Sequence, residues 1–336
     1  MTFQEHKPIA YGKMQRFDDM LAAGKSIAII QYQYRYACNM WCSHCSIAGF
    51  RKQKGGRQLT VEDTKRVFDQ AHEYGLASVA LTGGEPLVFP DLVEVIDAIG
   101  PDRFHIQVDT NGWLMTDEKA KWLKSLGVDK IQVSLDGVDA ATHDSFRRMP
   151  GSHARALAAI DHVRNAGMQI QVATVVDHAR AKSDELEAFF ELVASKNAPV
   201  SVVYAKPVGE WNGRYDLLCT AEDIAHVKML LAKYHGYDHT TPQYGRDLGC
   251  IAVKRMVAIT AYGDMLPCPW MYWTLGNVYD TPLSELLDKG MRYYGERSPV
   301  CRLSEDRDFN EKYTSKLKGR DDLPVPIEEI HGDLLH

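Results

Sequence analysis

Between Ile27 and Ala205 the chain alternates six short apolar runs with stretches of helical periodicity. The apolar runs are Ile27–Tyr34, Ala77–Thr82, Phe104–Asp109, Lys130–Asp136, Met168–Val176 and Val200–Ala205. Between them lie Thr60–Tyr74, a segment from Asp91 to Gly100, Asp117–Leu126, Ser152–Ala166 and Ser183–Ser195. Thr60-Val-Glu-Asp63 is a capping-box-like helix start, and Gly75 and Gly167 are helix stops. Strands that alternate with helices demand parallel βα units with right-handed crossovers. Six units are too few for an eightfold closed barrel, so an open partial barrel and a doubly wound sheet both fit the periodicity. Polar Thr82, Asp109, Ser134 and Asp136 end their strands on the side where barrel enzymes keep their chemistry.

The loop leaving the first strand, Tyr36-Ala-Cys-Asn-Met-Trp-Cys-Ser-His-Cys45, carries Cys38, Cys42 and Cys45. Three thiols on one loop suit a soft metal centre better than disulfides, since pairing two leaves the third unused. The N-terminus lacks the order of a secretion signal, so the cytoplasm is expected and oxidised cysteines are not. Zinc would need a fourth ligand, and His44 inside the triplet does not give the usual paired spacing. An iron–sulfur centre is therefore preferred to zinc.

The spacing of this triplet resembles the signature of the radical S-adenosylmethionine (SAM) superfamily. The resemblance implies a [4Fe-4S] cluster held by Cys38, Cys42 and Cys45, with SAM on its fourth iron. It further implies reductive cleavage of SAM to a 5′-deoxyadenosyl radical, which abstracts a hydrogen atom from a substrate. Gly83-Gly-Glu-Pro86, a glycine-rich turn that lets backbone come close to a ligand, is similar to the GGEP motif receiving the SAM amino group. By the same resemblance His44, Thr110, Asn111, Ser134, Asp136 and Arg147 are expected to contact SAM. Helix capping for Asp136, a surface ion pair for Arg147 and a simple loop histidine for His44 are the plainer readings. The family likeness favours the partial (β/α)6 barrel over the doubly wound sheet.

Beyond Lys206 the composition changes, giving an expected lead-in at 1–25, a barrel at 26–206 and a helix-bearing linker at 207–244. An α+β extension at 245–301 and a charged tail at 302–336 complete the division. Gly249-Cys250, Gly263 and Cys268, followed by Leu275-Gly-Asn277, resemble the opening of the SPASM and twitch extensions. That resemblance implies one auxiliary [4Fe-4S] cluster on Cys250, Cys268 and Cys301. Cys219 stands open as its fourth ligand, as a hydrogen-atom donor facing the radical, or as an ordinary buried thiol.

Glu210, Trp211 and Arg214 on the loop after the last strand, with Tyr204 and Asp177, are candidate substrate contacts. Phe50–Arg57 is a basic segment, read as a solvated loop and alternatively as a docking surface for a flavodoxin- or ferredoxin-type electron donor. The net charge of −6 argues against a nucleic-acid binder, and no apolar run is long enough for a membrane helix. The lead-in is too short for a peptide-binding domain, which favours a small substrate such as an amino sugar or polyol, oxidised from alcohol to ketone. A radical epimerase, a peptide-modifying enzyme and a non-catalytic electron carrier or zinc module are the alternatives.

Overall fold

The computed structural model describes residues 2–53, 56–240 and 248–332. Lys54 and Gly55 of the basic segment, and 241–247 near the expected end of the linker, lie outside the described residues.

Six parallel strands follow the expected order: β1 (Ile29–Arg35), β2 (Ser78–Gly83), β3 (His105–Thr110), β4 (Lys130–Ser134), β5 (Gln169–Val176) and β6 (Val200–Tyr204). A short β7 (Tyr237–Asp238) follows β6 at one edge. At the other edge β8 (Met256–Ile259) pairs parallel with β1, and β9 (Asp264–Leu266) returns antiparallel to β8. The sheet is thus continuous from the barrel into the C-terminal extension, in the order β9-β8-β1-β2-β3-β4-β5-β6-β7 over these strands. This is the expected partial (β/α)6 barrel with a small α+β extension.

The alternation of side chains along each strand divides the residues between two surfaces. Ile30, Tyr32, Val79, Leu81, Ile106, Val108, Ile131, Val133, Val172 and Val202 are buried with the apolar faces of the surrounding helices in one core. The opposite face carries Gln31, Gln107, Asp109, Gln132, Gln171 and Ser201, which line a cavity inside the barrel. Closed eight-stranded barrels fill that space with branched apolar side chains. Here the interior is polar and open.

The helical lead-in closes the N-terminal end of this barrel. From the turn before the helix Pro8–Met14, Lys7 Nζ donates to Gly127 O at 2.8 Å and Phe104 O at 3.3 Å, and pairs with Asp129 at 3.1 Å. Lys13 Nζ donates to Leu76 O at 2.9 Å and Arg103 O at 3.0 Å. Both lysines reach loops that precede strands, so the lead-in acts as a stopper. Removing one member of a buried ion pair leaves the other charge unpaired, and Lys7→Met is expected to cost roughly 3 kcal/mol in a urea melt. A loss within 0.5 kcal/mol of wild type would show that the stopper adds nothing to stability.

The described part of the tail, 302–332, read from sequence only as charged, is structured. It forms helices at Arg307–Lys312 and Ile327–His331, and Val325 pairs with Trp273. His331 and the buried Trp273 lie in an aromatic cluster with Tyr294, Phe309 and Tyr313.

Candidate active site

The GGEP turn is positioned by backbone. Gly84 N donates to Arg35 O at 2.8 Å and Glu85 N to Ala37 O at 2.9 Å, which continues the β1–β2 pairing into the cysteine loop. A Cβ on Gly84 would lie 1.9 Å from Ala37 O, and one on Gly83, at φ +121°, would lie 2.2 Å from Arg35 O. The two glycines are therefore required by close approach to the strand that feeds Cys38, not by approach to a ligand alone. Glu85 is buried and accepts from Leu87 N at 3.1 Å, Thr110 Oγ1 at 2.8 Å and Asn111 N at 2.7 Å. Burial pushes its carboxyl up to about 7 against these hydrogen bonds. It ties the second strand end to the third, bringing Thr110 and Asn111 to the turn as one unit. Asn111 Nδ2 then donates to Asn39 Oδ1 at 2.8 Å, inside the cysteine loop.

The other side of that loop is braced by cations. Arg51, on the helix Ala48–Lys52, donates to Met40 O at 2.8 Å and lies 3.8 Å over the Trp41 ring. The basic segment is thus not wholly a solvated loop: its first arginine supports the cysteines. Arg147, ending the helix Ala140–Arg147, donates through Nε to Asp136 Oδ2 at 2.7 Å and through Nη1 to Cys42 Sγ at 3.8 Å. Asp136 also accepts from Val175 N at 2.8 Å and Thr174 Oγ1 at 3.2 Å. Burial alone would raise the Asp136 pKa, but the Arg147 guanidinium holds the carboxyl well below the usual carboxylate range.

His44 stacks on Phe146 at 4.4 Å, with 8° between the ring planes, and burial pushes its pKa down to about 3, so the ring is neutral. Ser43 N donates to Phe146 O at 3.0 Å. On the far side Glu210 N donates to Cys45 O at 3.1 Å. Gly209, at φ +62°, sits so close that a Cβ would lie 2.2 Å from Cys45 O.

These contacts enclose a cavity of about 240 Å³. Its lining includes Cys38, Cys42, Cys45, His44, Gly83, Gly84, Glu85, Thr110, Asn111, Ser134 and Arg147. Burial pushes the Cys38 thiol up to about 11 and raises Cys45 as well. Thiolates at Cys38 and Cys45 are thus costly here without a bound cation, and Arg51 only partly offsets their charge. The donor set fits a cluster that leaves one metal position to a ligand from the polar wall opposite.

Several expected contacts fall elsewhere. Asp136 and Pro86 do not line this cavity: Asp136 is committed to Arg147, and Pro86 opens the 3₁₀ turn Pro86–Val88. Glu210 offers its amide to the cysteine loop and its exposed side chain to solvent, because the turn at Gly209 points it outward. Arg214 is held by Asp216 at 2.6 Å on the surface, and Asp177 caps the next helix through Arg180 N at 2.8 Å. Tyr204 and Trp211 do line the cavity. Cys219 does not. Its thiol is buried against Val176 O at 3.6 Å and pushed up to about 12 by burial and the charges of Asp223 and Asp177.

The second set of cysteines is buried. Cys250 N donates to Ser298 O at 3.0 Å, and the Gly249–Ser298 bridge brings this segment alongside the approach to Cys301. A Cβ on Gly249 would lie 1.6 Å from Ser298 O. Cys268 follows the β8–β9 hairpin, and burial, together with Cys250 and Cys301 close by, raises its pKa. Ser304 Oγ donates to Cys301 Sγ at 3.4 Å. Cys250, Cys268 and Cys301 are thus buried near enough to act on one another electrostatically. Lys206 and Trp270, which neighbour these thiols, also line the cavity that holds Cys38, Cys42 and Cys45.

The radical SAM superfamily profile matches residues 32–193, and an iron–sulfur cluster-binding domain of the SPASM type matches residues 250–308. The chain belongs to the radical SAM superfamily and carries a C-terminal SPASM extension. It is 27% identical over 308 residues to an AdoMet-dependent heme synthase from Methanosarcina barkeri, covering 83% of this chain and 87% of that one. It is 30% identical over 258 residues to the mycofactocin maturase MftC from Mycolicibacterium smegmatis, covering 72% and 64%. Among solved structures, anSMEcpe with bound AdoMet superposes with a TM-score of 0.63 at 16% identity, covering 80% of this chain and 82% of that one. SuiB from Streptococcus suis, bound to the precursor peptide SuiA, superposes at 0.61 with 15% identity, covering 81% and 68%. Membership implies a SAM-binding [4Fe-4S] cluster and auxiliary iron–sulfur chemistry. No helix among the described residues is long and apolar enough to cross a membrane.

Proposed function

We propose that this enzyme oxidises a residue of a peptide, with Cys38, Cys42 and Cys45 holding the SAM cluster and Cys250, Cys268 and Cys301 holding an auxiliary cluster. When bound, the first cluster and SAM supply one-electron cleavage to methionine and a hydrogen-abstracting 5′-deoxyadenosyl group. Asn111, Ser134 and Arg147 bind SAM in this reading, Glu85 holds the second and third strand ends together, and Asp136 fixes Arg147. Phe146 and Trp211 keep the His44 side of the cavity apolar, which excludes water from a reactive radical.

The observation that carries the oxidative reading is a cavity lined both by Cys38, Cys42 and Cys45 and by Lys206, on which Cys268 and Cys301 act electrostatically. A substrate there lies between a hydrogen acceptor and an electron acceptor. Loss of a hydrogen atom to the 5′-deoxyadenosyl group, of an electron to the auxiliary cluster and of a proton to solvent would give a product lighter by two hydrogens. The likeness to the mycofactocin maturase favours a peptide over the amino sugar or polyol that the short lead-in points to. The likeness to the heme synthase over most of both chains favours a tetrapyrrole as the second reading. Epimerisation by a Cys219 or Cys301 hydrogen donor is less supported, since neither thiol lines the cavity.

The test is anaerobic incubation with SAM and reductant against precursor-type peptides, coproporphyrin complexes and polyols. Substrate-dependent 5′-deoxyadenosine with a peptide lighter by two hydrogens is expected. Turnover of the tetrapyrrole alone would move the assignment to the second reading. Solvent deuterium at an inverted carbon, with no mass loss, would overturn oxidation.

A further inference from the structure

Lys206 follows the last barrel strand and is only 5% exposed. Its Nζ donates to Tyr204 O at 2.9 Å and lies 4.3 Å from the centre of the Trp270 ring. An ammonium has three donors, and burying one is costly unless the charge is compensated. Among the described residues it forms no ion pair; burial lowers its pKa, opposed by the nearby Cys301 and Cys268 thiols and by Glu305. Glu305 is instead occupied in accepting from Cys301 N at 3.0 Å.

The other cations lining the cavity are engaged. Arg147 is paired with Asp136, and Arg51 donates to Met40 O and Cys38 O. Among the described residues lining the cavity, Lys206 is the cation with hydrogen-bonding capacity to spare. Trp270 and Trp211 provide flat apolar walls within the same cavity.

We propose that Lys206 binds a carboxylate of the substrate, holding it against Trp270 so that a neighbouring C–H faces the SAM end of the cavity. The inference deepens the function proposed above by naming a recognised group, a carboxylate, which a peptide terminus or acidic side chain and a tetrapyrrole propionate both provide. A competing role is that Lys206 serves only as the counter-charge of the thiolates at Cys268 and Cys301.

The test reads binding, not turnover. The protein with both clusters loaded and SAM bound is titrated calorimetrically with 3-phenylpropionate and with its isosteric amide, 3-phenylpropionamide. A desolvated ion pair is expected to favour the acid by about tenfold or more in the wild type and in Lys206→Arg. Lys206→Met should lose that preference with iron content unchanged, and Lys206→Gln replaces it if the methionine variant fails to hold iron. No preference in the wild type, or a preference that survives Lys206→Met or Lys206→Gln, would overturn the proposal. So would a shift of the auxiliary midpoint potential in the neutral variant without any change in acid preference, which would identify a counter-charge only. A peptide with free or amidated C-terminus, and coproporphyrin or its tetramethyl ester, then distinguish the carboxylate's source. Failure of every such substrate to turn over, with the acid preference intact, would count against the proposed function and leave the Lys206 site standing.

Discussion

Replacing Gly84 with alanine is expected to leave the fold intact and abolish loading of the first cluster. The added Cβ would lie 1.9 Å from Ala37 O and 2.5 Å from Ala37 C, and neither atom belongs to a side chain that could rotate away. Either the GGEP turn or the chain entering Cys38 must move, although Glu85 N→Ala37 O holds them together at 2.9 Å. Cluster ligands tolerate displacements of only a few tenths of an ångström. After reconstitution the variant should retain about four irons per chain where the wild type takes about eight, the remaining iron being held by the second cysteine set. 5′-Deoxyadenosine formation should be lost while the circular dichroism is unchanged. Full iron and normal SAM cleavage would show that the turn relaxes without disturbing the cysteines.

The Asp136→Asn variant should lower stability by about 3–5 kcal/mol, because it leaves the Arg147 guanidinium buried without its counter-charge. Both side chains are nearly enclosed, at 1% and 10% exposure. Its effect should depend on pH in a defined direction. The folded pKa of Asp136 is depressed by Arg147, so its contribution is complete above the unfolded value of about 3.9. It is lost as pH falls from there towards the folded value. Urea melts at pH 7 and 5 should therefore show the same gap between wild type and variant, and a melt near pH 3 a smaller one. A gap that is constant down to pH 3 would mean that the pair is not what stabilises this region. The variant should also bind SAM more weakly, since Arg147 would no longer be fixed beside Cys42.

Much of this architecture is legible in sequence because the signals are local. Each barrel strand is a short apolar run ended by a turn, Thr60 marks a helix start with its own hydroxyl, and Gly75 marks the stop because without a Cβ it takes a φ of +105°. The cysteine triplet and Gly83–Pro86 are likewise contiguous. What escapes are side chains whose roles depend on distant approach. Arg51 reads as part of a solvated basic run, yet folding the segment into a helix turns it onto the Met40 carbonyl. The pairing of Arg147 with Asp136 depends on the helix Ala140–Arg147, which the strand–helix alternation of the barrel does not announce. Glu210 is a plausible acid in a loop, but Gly209 at φ +62° spends its backbone on Cys45 and sends its carboxylate outward. Nothing near Lys206 in sequence announces Trp270 as its neighbour. Those two meet only because the extension folds back over the barrel mouth.

The pairing of β8 with β1 has a consequence for how the molecule is made. Ile29–Tyr32 finds its partner at Met256–Ile259, and Ser26 Oγ reaches Val253 O, a separation of 227 residues. During synthesis, the strand that leads into Cys38 emerges early but keeps one unpaired edge until most of the chain has left the ribosome. Such non-local pairing is slow to form and leaves an adhesive edge in the interim. A nascent chain arrested before residue 250 would present the SAM-site cysteines on a frayed ledge. Iron delivery to that loop is therefore best timed after β8 has paired with β1.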